Sequence, residues 1–453
     1  MSVVGINFGS ATSGNGFDVT ATVASIMTNM RAPETVWATR TTALQAQDAM
    51  LSTLGTEMST LSSSLATLTA FDGSFAQKEG ATSNSSVVSL TAADSTSSAG
   101  THTLTVSKLA TVSQQHSSVV ATGATLSGSL SIQVGSGAAK SITIDSSNNT
   151  MSTLVSAINN MDAGVTATVI TDSSGSYLSL TSSTSGAAGE MSVNLSGLTD
   201  SNGDALSMVS TTTGADAAYT LDGISLTSSS NTVSTALAGI TFQLVGTSSN
   251  NVTMQIVNDT SSISTALNTF ITAYNALTSE LSGQEAKDSS GTAKPLFGDQ
   301  VLSLIQSQLS TALAFSTGNS GKTSNLAQLG LAIGANGQLS LDTSALNSAL
   351  QKNFTGVTNF FQNAGDFGQN LTTVLNGLGN SGQGALALRA AQNTSEESTL
   401  ADNKTKLEAR LATYQTSLTS ELNAANQILQ AIPQQLNEIK QIYAAITGYG
   451  QSS

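Results

Sequence analysis

The sequence has no cysteine, which excludes disulfides, thiolate metal sites and cysteine nucleophiles. Charge is scarce. Asp, Glu, Lys and Arg make up 9% of the 453 residues, against about 25% in an ordinary soluble domain. Lys and Arg number 14, and the formal net charge is −14. Phosphate backbones and anionic lipid surfaces are bound by clustered cations, so no nucleic acid and no membrane partner is expected. Aromatic residues are 4%, with one tryptophan, Trp37, which leaves no stacking platform for single strands or sugars. No apolar run approaches the ~18 residues of a spanning helix, so membrane insertion is not expected. No early basic region or apolar core of a signal peptide precedes Arg31, so any export is expected to use another route.

Catalytic patterns are missing too. Neither a Gly-x-Ser-x-Gly elbow nor a His-Glu-x-x-His pair occurs. The two histidines, His102 and His116, stand apart, whereas a metal site needs several ligands at fixed spacing. Glu396 and Glu397 are adjacent on an expected helix, so they point to different sides and read as a solvated face. The turn around Gly14 and Gly16 has no preceding strand and no following lysine, so it fails as a phosphate loop. It reads instead as a turn before Asp18, an N-cap for a helix from Val19. The chain is therefore read as a non-enzyme with no cofactor and no metal.

What remains is periodicity. Val19, Val23, Ile26 and Met27 share one helical face, and Ala32-Pro33 interrupts it. Leu44, Leu51, Leu54, Met58, Leu61, Leu65 and Leu68 form the stripe of a long second helix. From about Ala76 to Asp259 the pattern alternates with period two between Gly/Ser/Asn clusters, as in "THTLTVSKL" (101–109) and "GVTATVITD" (164–172). Asp222-Gly223 marks a hairpin turn, and "NTMSTLVSAINNM" (149–161) a lone helix. Helical spacing then returns, with Ile263, Leu267, Phe270, Tyr274, Leu277 and Leu281, a helix capped by Asp299, and a hairpin on Asn336-Gly337. From Leu411 the seam runs through Tyr414, Leu418, Leu422, Ala425, Leu429, Ile432, Leu436, Ile439, Tyr443 and Ile446. These steps of three and four are those of a coiled coil, which Pro433 is expected to kink.

The expected fold class is α+β multidomain: a discontinuous helical, coiled-coil stalk from both chain ends, with inserted antiparallel β head domains. Residues 1–38 and 410–453 are expected as leg helices, and 39–75 with 260–409 as a helical bundle with a small hairpin. Residues 76–122 with 215–259 are expected as one β head domain, and 123–214 as a second. A long seam with little charge beside it needs a partner helix. The interface residues expected to meet it are Val19, Val23, Ile26, Met27, Leu418, Leu422, Leu429, Ile432, Leu436 and Ile439. Gly5 to Asp18 is expected to be flexible before assembly.

Several stretches in order resemble the bacterial flagellar filament cap family, the flagellar hook-associated protein 2 family. They are "SGNGFDVTATVASIMTNMRAP" (13–33), "GTHTLTVSKLATVSQQHS" (100–117) and "AYTLDGISLTSSSNTVSTALAGITFQLVGT" (218–247) with "FITAYNAL" (270–277). "PLFGDQVLSLIQSQLSTAL" (295–313) and "LAQLGLAIGANGQLSLD" (326–342) complete the set, and 130–189 is similar to a module also found in flagellins. The chain departs from the family at Met30-Arg31, where an acidic residue usually precedes the Ala-Pro, and at Asn15 and Phe17 in the opening turn. The resemblance implies a non-enzymatic cap at the filament tip, promoting flagellin polymerisation and preventing loss of monomers. It implies a homo-oligomeric ring, expected as a pentamer, with flagellin, the hook–filament junction proteins and a flagellar type III export chaperone as partners. The location implied is extracellular, at the flagellum, after type III export without a cleaved signal. The alternative is a secreted flagellar adhesin whose Ser/Thr-rich head binds host glycans. A glycan or cell-wall hydrolase would need a carboxylate pair in a cleft, which the sequence does not supply.

Overall fold

Ala32-Pro33 divides the first two helices. The structure, a computed structural model describing residues 15–316 and 323–447, has α1 at Val19–Met30 and α2 at Ala32–Thr69. Pro33 sits in the first turn of α2, where a missing N–H costs nothing. The remaining helices are α3 (Met151–Asn160), α4 (Thr260–Gln284), α5 (Gln300–Leu313), α6 (Thr343–Gln362), α7 (Phe367–Gly379) and α8 (Ala385–Thr447). The chain divides into a helical unit, 1–69 with 267–453, and a β unit, 70–266.

In the helical unit, α2 buries every residue of its expected stripe, from Leu44 to Leu68. It packs against α7 and α8. Aromatic residues are few, yet four phenylalanines gather in one place. Phe360 and Phe367 stack at 5.1 Å with planes 3° apart, Phe361 meets both edge-on, and Phe315 tilts against Phe360 and Phe367. Gly368 lets α7 lie on this cluster: a Cβ there would fall 2.0 Å from the Phe361 carbonyl oxygen. α6 breaks at Asn353, whose Oδ1 accepts from the Gly356 amide at 2.9 Å and so recaps the helix. The expected hairpin is present, Leu331–Ile333 against Leu339–Leu341, with Gly337 at φ 76°.

The β unit holds two separate cores. The first lies between a five-stranded and a three-stranded antiparallel sheet. The five strands, in order, are Lys78–Thr82, Ser248–Asn258, Gly100–Lys108, Ala217–Leu221 and Ile224–Ser228. Leu104, Val106, Tyr219, Phe242, Met254 and Ile256 fill this core. Asp222 and Gly223 both take positive φ, at 51° and 83°, as a tight hairpin of this twist demands. The Asp222 carboxylate also ties the turn down, facing His102 Nδ1 at 2.7 Å and accepting from the Thr103 amide at 2.8 Å. The second core, around Leu130, Ile132, Leu154, Ile158, Leu178 and Leu180, is closed by α3. The strand Val112–Ser117, which lies inside the expected 76–122 segment, pairs into this second group, and Val120 is buried there.

That strand escapes a search for alternating apolar residues. Its inward positions are Ser113, Gln115 and Ser117, all buried. They are satisfied by the second core's backbone: Gln115 donates to the Met191 carbonyl, Ser113 accepts from the Met191 amide and Ser117 from that of Leu178. His116 lies on the same strand, with its ring edge-on to Tyr177.

Two outcomes test this packing. Gly368→Ala is expected to destabilise the helical unit by about 1–3 kcal/mol, the usual cost of overpacking, measured by urea unfolding. The Asp222 carboxyl is held below its ordinary range, first by its hydrogen bond with His102 and then by the Thr103 amide. Its stabilising effect is therefore full above the ordinary carboxylate range and is lost as pH falls through the lowered value. His102→Ala is expected to move the Asp222 titration back up, read by NMR.

Candidate functional site

The glycine-rich turn is a point of close approach between the two ends of the chain. Gly16 takes φ +64°, and a Cβ there would fall 2.1 Å from Asn426 Oδ1. The Phe17 amide donates to the same oxygen at 2.8 Å. Two residues on, Asp18 Oδ1 accepts from the Ala21 amide at 2.9 Å and starts α1, as its sequence indicates. Of the segment expected to be flexible, Gly5 to Asp18, residues 5–14 lie outside the described residues.

α1 then lies along α8. Val19, Val23 and Met27 are buried with Leu407 and Leu411, and Phe17, Trp37, Leu418 and Leu422 pack around them. The pairings descend in opposite directions along the two segments. Phe17 meets Asn426, Arg40 meets Glu396, and Asp48 meets Asn393, so α1 and α2 run antiparallel to α8. The Arg40–Glu396 pair is bidentate at 2.6 and 2.9 Å. Arg40 holds the Glu396 carboxyl below its usual range, though both side chains are exposed, which limits what the pair contributes.

Deeper in, Arg389 carries a polar network. Its Nε donates to Asp299 Oδ2 at 2.8 Å, and its other nitrogens donate to Asn393 and Gln47. The fully buried Asn393 donates in turn to Asp48 Oδ1 at 2.7 Å. Asp299 caps α5 through its other oxygen, which accepts from the Val301 amide. One carboxylate thus fixes a helix start and an arginine on α8.

Of the expected interface residues, the fold gathers Val19, Val23, Met27, Leu418 and Leu422, with Ile26 half-buried. Leu429 and Ile432 are half-buried, while Leu436 is 41% and Ile439 65% exposed. The open stripe extends to Tyr443 and to Ile446, which is 78% exposed. α8 is unbroken through Pro433, although the ring removes the donor for the Leu429 carbonyl. Leu407 and Phe17 were not marked by the seam. Leu407 was visible, one helical step of four before Leu411, whereas Phe17 precedes the helix and follows no period. Among the described residues no cluster of three or more His, Asp or Glu could hold a metal, and no helix is long and apolar enough to cross a membrane.

Residues 15–114 match the family profile "Flagellar hook-associated protein 2 N-terminus", and 214–434 match "Flagellar hook-associated protein 2 C-terminus". The chain is 30% identical over 371 residues to the flagellar hook-associated protein 2 of Escherichia coli O157:H7, covering 76% of this chain and 78% of the relative. It is 28% identical over 404 residues to the B-type flagellar hook-associated protein 2 of Pseudomonas aeruginosa, covering 82% of this chain and 85% of the relative. The crystal structure of the D1-D2-D3 domains of the flagellar cap protein FliD from Escherichia coli superposes with TM-score 0.57 and 25% identity, covering 76% of this chain and 99% of that one. The chain therefore belongs to the flagellar hook-associated protein 2 family.

Proposed function

We propose that the protein caps the tip of the flagellar filament, promotes flagellin polymerisation and retains monomers that would otherwise be lost. Its relatives are flagellar cap proteins by name. The observation that carries the reading is the apolar stripe of α8, which continues past the end of described α1 and is open from Leu436 to Ile446. An apolar helical face of this length in water is a docking surface. We read residues 1–38 and 410–453 as legs that meet the filament, the hook–filament junction proteins and, before export, a type III chaperone. The bundle is 39–75 with 260–409. The two cores of the β unit support two head domains, with the division drawn near Ala110 so that Val112–Ser117 joins 123–214. Copies form a ring, proposed as a pentamer, outside the cell after export without a cleaved signal.

The low charge of the seam suits this work. Contacts made by apolar and amide groups are little altered by salt, whereas ion pairs at a surface are screened. The helix end also has few buried contacts, so it can rearrange as each subunit is added.

Leu429→Asp with Leu436→Asp is expected to stop filament growth and release monomeric flagellin into the medium. The cost to folding should stay below about 1 kcal/mol, since neither side chain is buried. Normal filament length in that strain would overturn the role of the stripe. Normal filaments with lost attachment in a deletion strain would instead mark an adhesin. In the free protein, amides of 428–447 are expected to exchange much faster than those of α2, and strong protection there would remove the case for an open leg.

A further inference from the structure

Glu396 and Glu397 part company in the fold. Glu396 pairs with Arg40. Glu397 is half-buried: its Oε1 is closed off from water and no donor reaches it, the one such side-chain oxygen among the described residues. The carboxylate lines a groove of about 670 Å³ between α2 and α8, beside Trp37, Glu34, Leu400 and Lys404. The other charges there are engaged. Glu34 is paired with Arg31 at 3.0 Å, and Lys404 leans on Glu408 at 3.9 Å. The groove therefore holds a carboxylate with one unpartnered oxygen, next to the single indole of the chain.

We propose that this groove receives an arginine side chain from a protein subunit docked along the α1–α8 seam. A carboxylate oxygen deprived of both water and a donor is costly, and supplying it with a donor is a favourable change open to the site. A guanidinium offers a planar fork to both carboxylate oxygens and a flat face to the indole. An ammonium supplies the charge without the plane, and a neutral amide supplies neither. Trp37 also packs on the Val19–Val23–Met27 cluster, so the groove is continuous with the seam. The identity of the arginine's owner rests on the filament reading, while the chemistry of the groove does not.

Trp37 is the only tryptophan, so its emission reports the groove directly. The full-length protein is titrated with N-acetyl-arginine amide at constant ionic strength. A saturable change in emission with a millimolar midpoint is expected. N-acetyl-citrulline amide, the uncharged analogue, should leave the emission unchanged, and N-acetyl-lysine amide should bind more weakly. Glu397→Gln should weaken the arginine response about tenfold, and Lys404→Ala, which removes a like charge from the groove lining, should strengthen it. No saturable response, an equal response to the citrulline probe, or an unaltered response in folded Glu397→Gln overturns the proposal. The citrulline comparison needs no variant, so it decides even where Glu397→Gln fails to fold. Full-length filaments on Glu397→Gln cells would overturn the filament as the source of the arginine. They would leave the cap reading in place, since that stands on the Leu429/Leu436 variant.

Discussion

The helical unit depends on one contact between the two ends of the chain: α1 and α2 laid antiparallel along α8. Phe17 and Asn426, which close it, are 409 residues apart in sequence. Closing a flexible loop of that length costs about 5 kcal/mol in chain entropy. Against it, the five buried side chains of the α1–α8 cluster contribute roughly 1.5–3 kcal/mol each. The α1–α8 cluster does not close that loop alone, since α2 is also held on α8. The leucine stripe of α2 and the Arg389–Asn393 network do this further along the same helix.

The helices themselves are weak formers. Threonines along α2 and α8 return their hydroxyls to the carbonyl four residues back, as Thr53, Thr56, Thr60, Thr413 and Thr416 do. Such bonds satisfy the hydroxyl but do not favour the helix. With few charged side chains, ion pairs along the surface are also few. Helix formation in this unit is thus carried by packing, and a segment without a partner, such as the end of α8, has little to hold it beyond its own backbone bonds.

The same chemistry governs what was legible in the sequence. The stripe of α2 could be read residue by residue because leucine and methionine occupy its buried positions, Ser64 excepted. The cap at Asp299, the hairpin at Asp222-Gly223 and the helix near Leu154 were legible for a similar reason: one residue type serves one backbone need. The strand Val112–Ser117 was not, because it presents serines and a glutamine inward and pays for them with side-chain hydrogen bonds. The seam of α8 was legible as a pattern but not in its extent. Periodicity marks an apolar face without saying how much of it a neighbour covers. Nor could it separate Glu396 from Glu397, whose surroundings differ only once α2 lies beside them.

How far α1 covers that seam is set by register. An apolar heptad alone tolerates a slip of seven residues, about 10 Å along the axis, because leucine meets leucine again. Arg389 and Asn393 do not tolerate it. A slip would leave buried Asn393 without Asp48 and Arg389 without Asp299 and Gln47, and buried polar groups without partners are costly. The network thus fixes α2 on α8, and α1, separated from α2 by Arg31 alone, runs on in the same direction along α8. With that register, Val19 to Met27 reach the stretch from Leu407 to Leu422, and the apolar positions from Leu436 onward remain open. The placement of the open stripe is decided by polar side chains more than 40 residues away on the same helix, at about 1.5 Å of rise per residue.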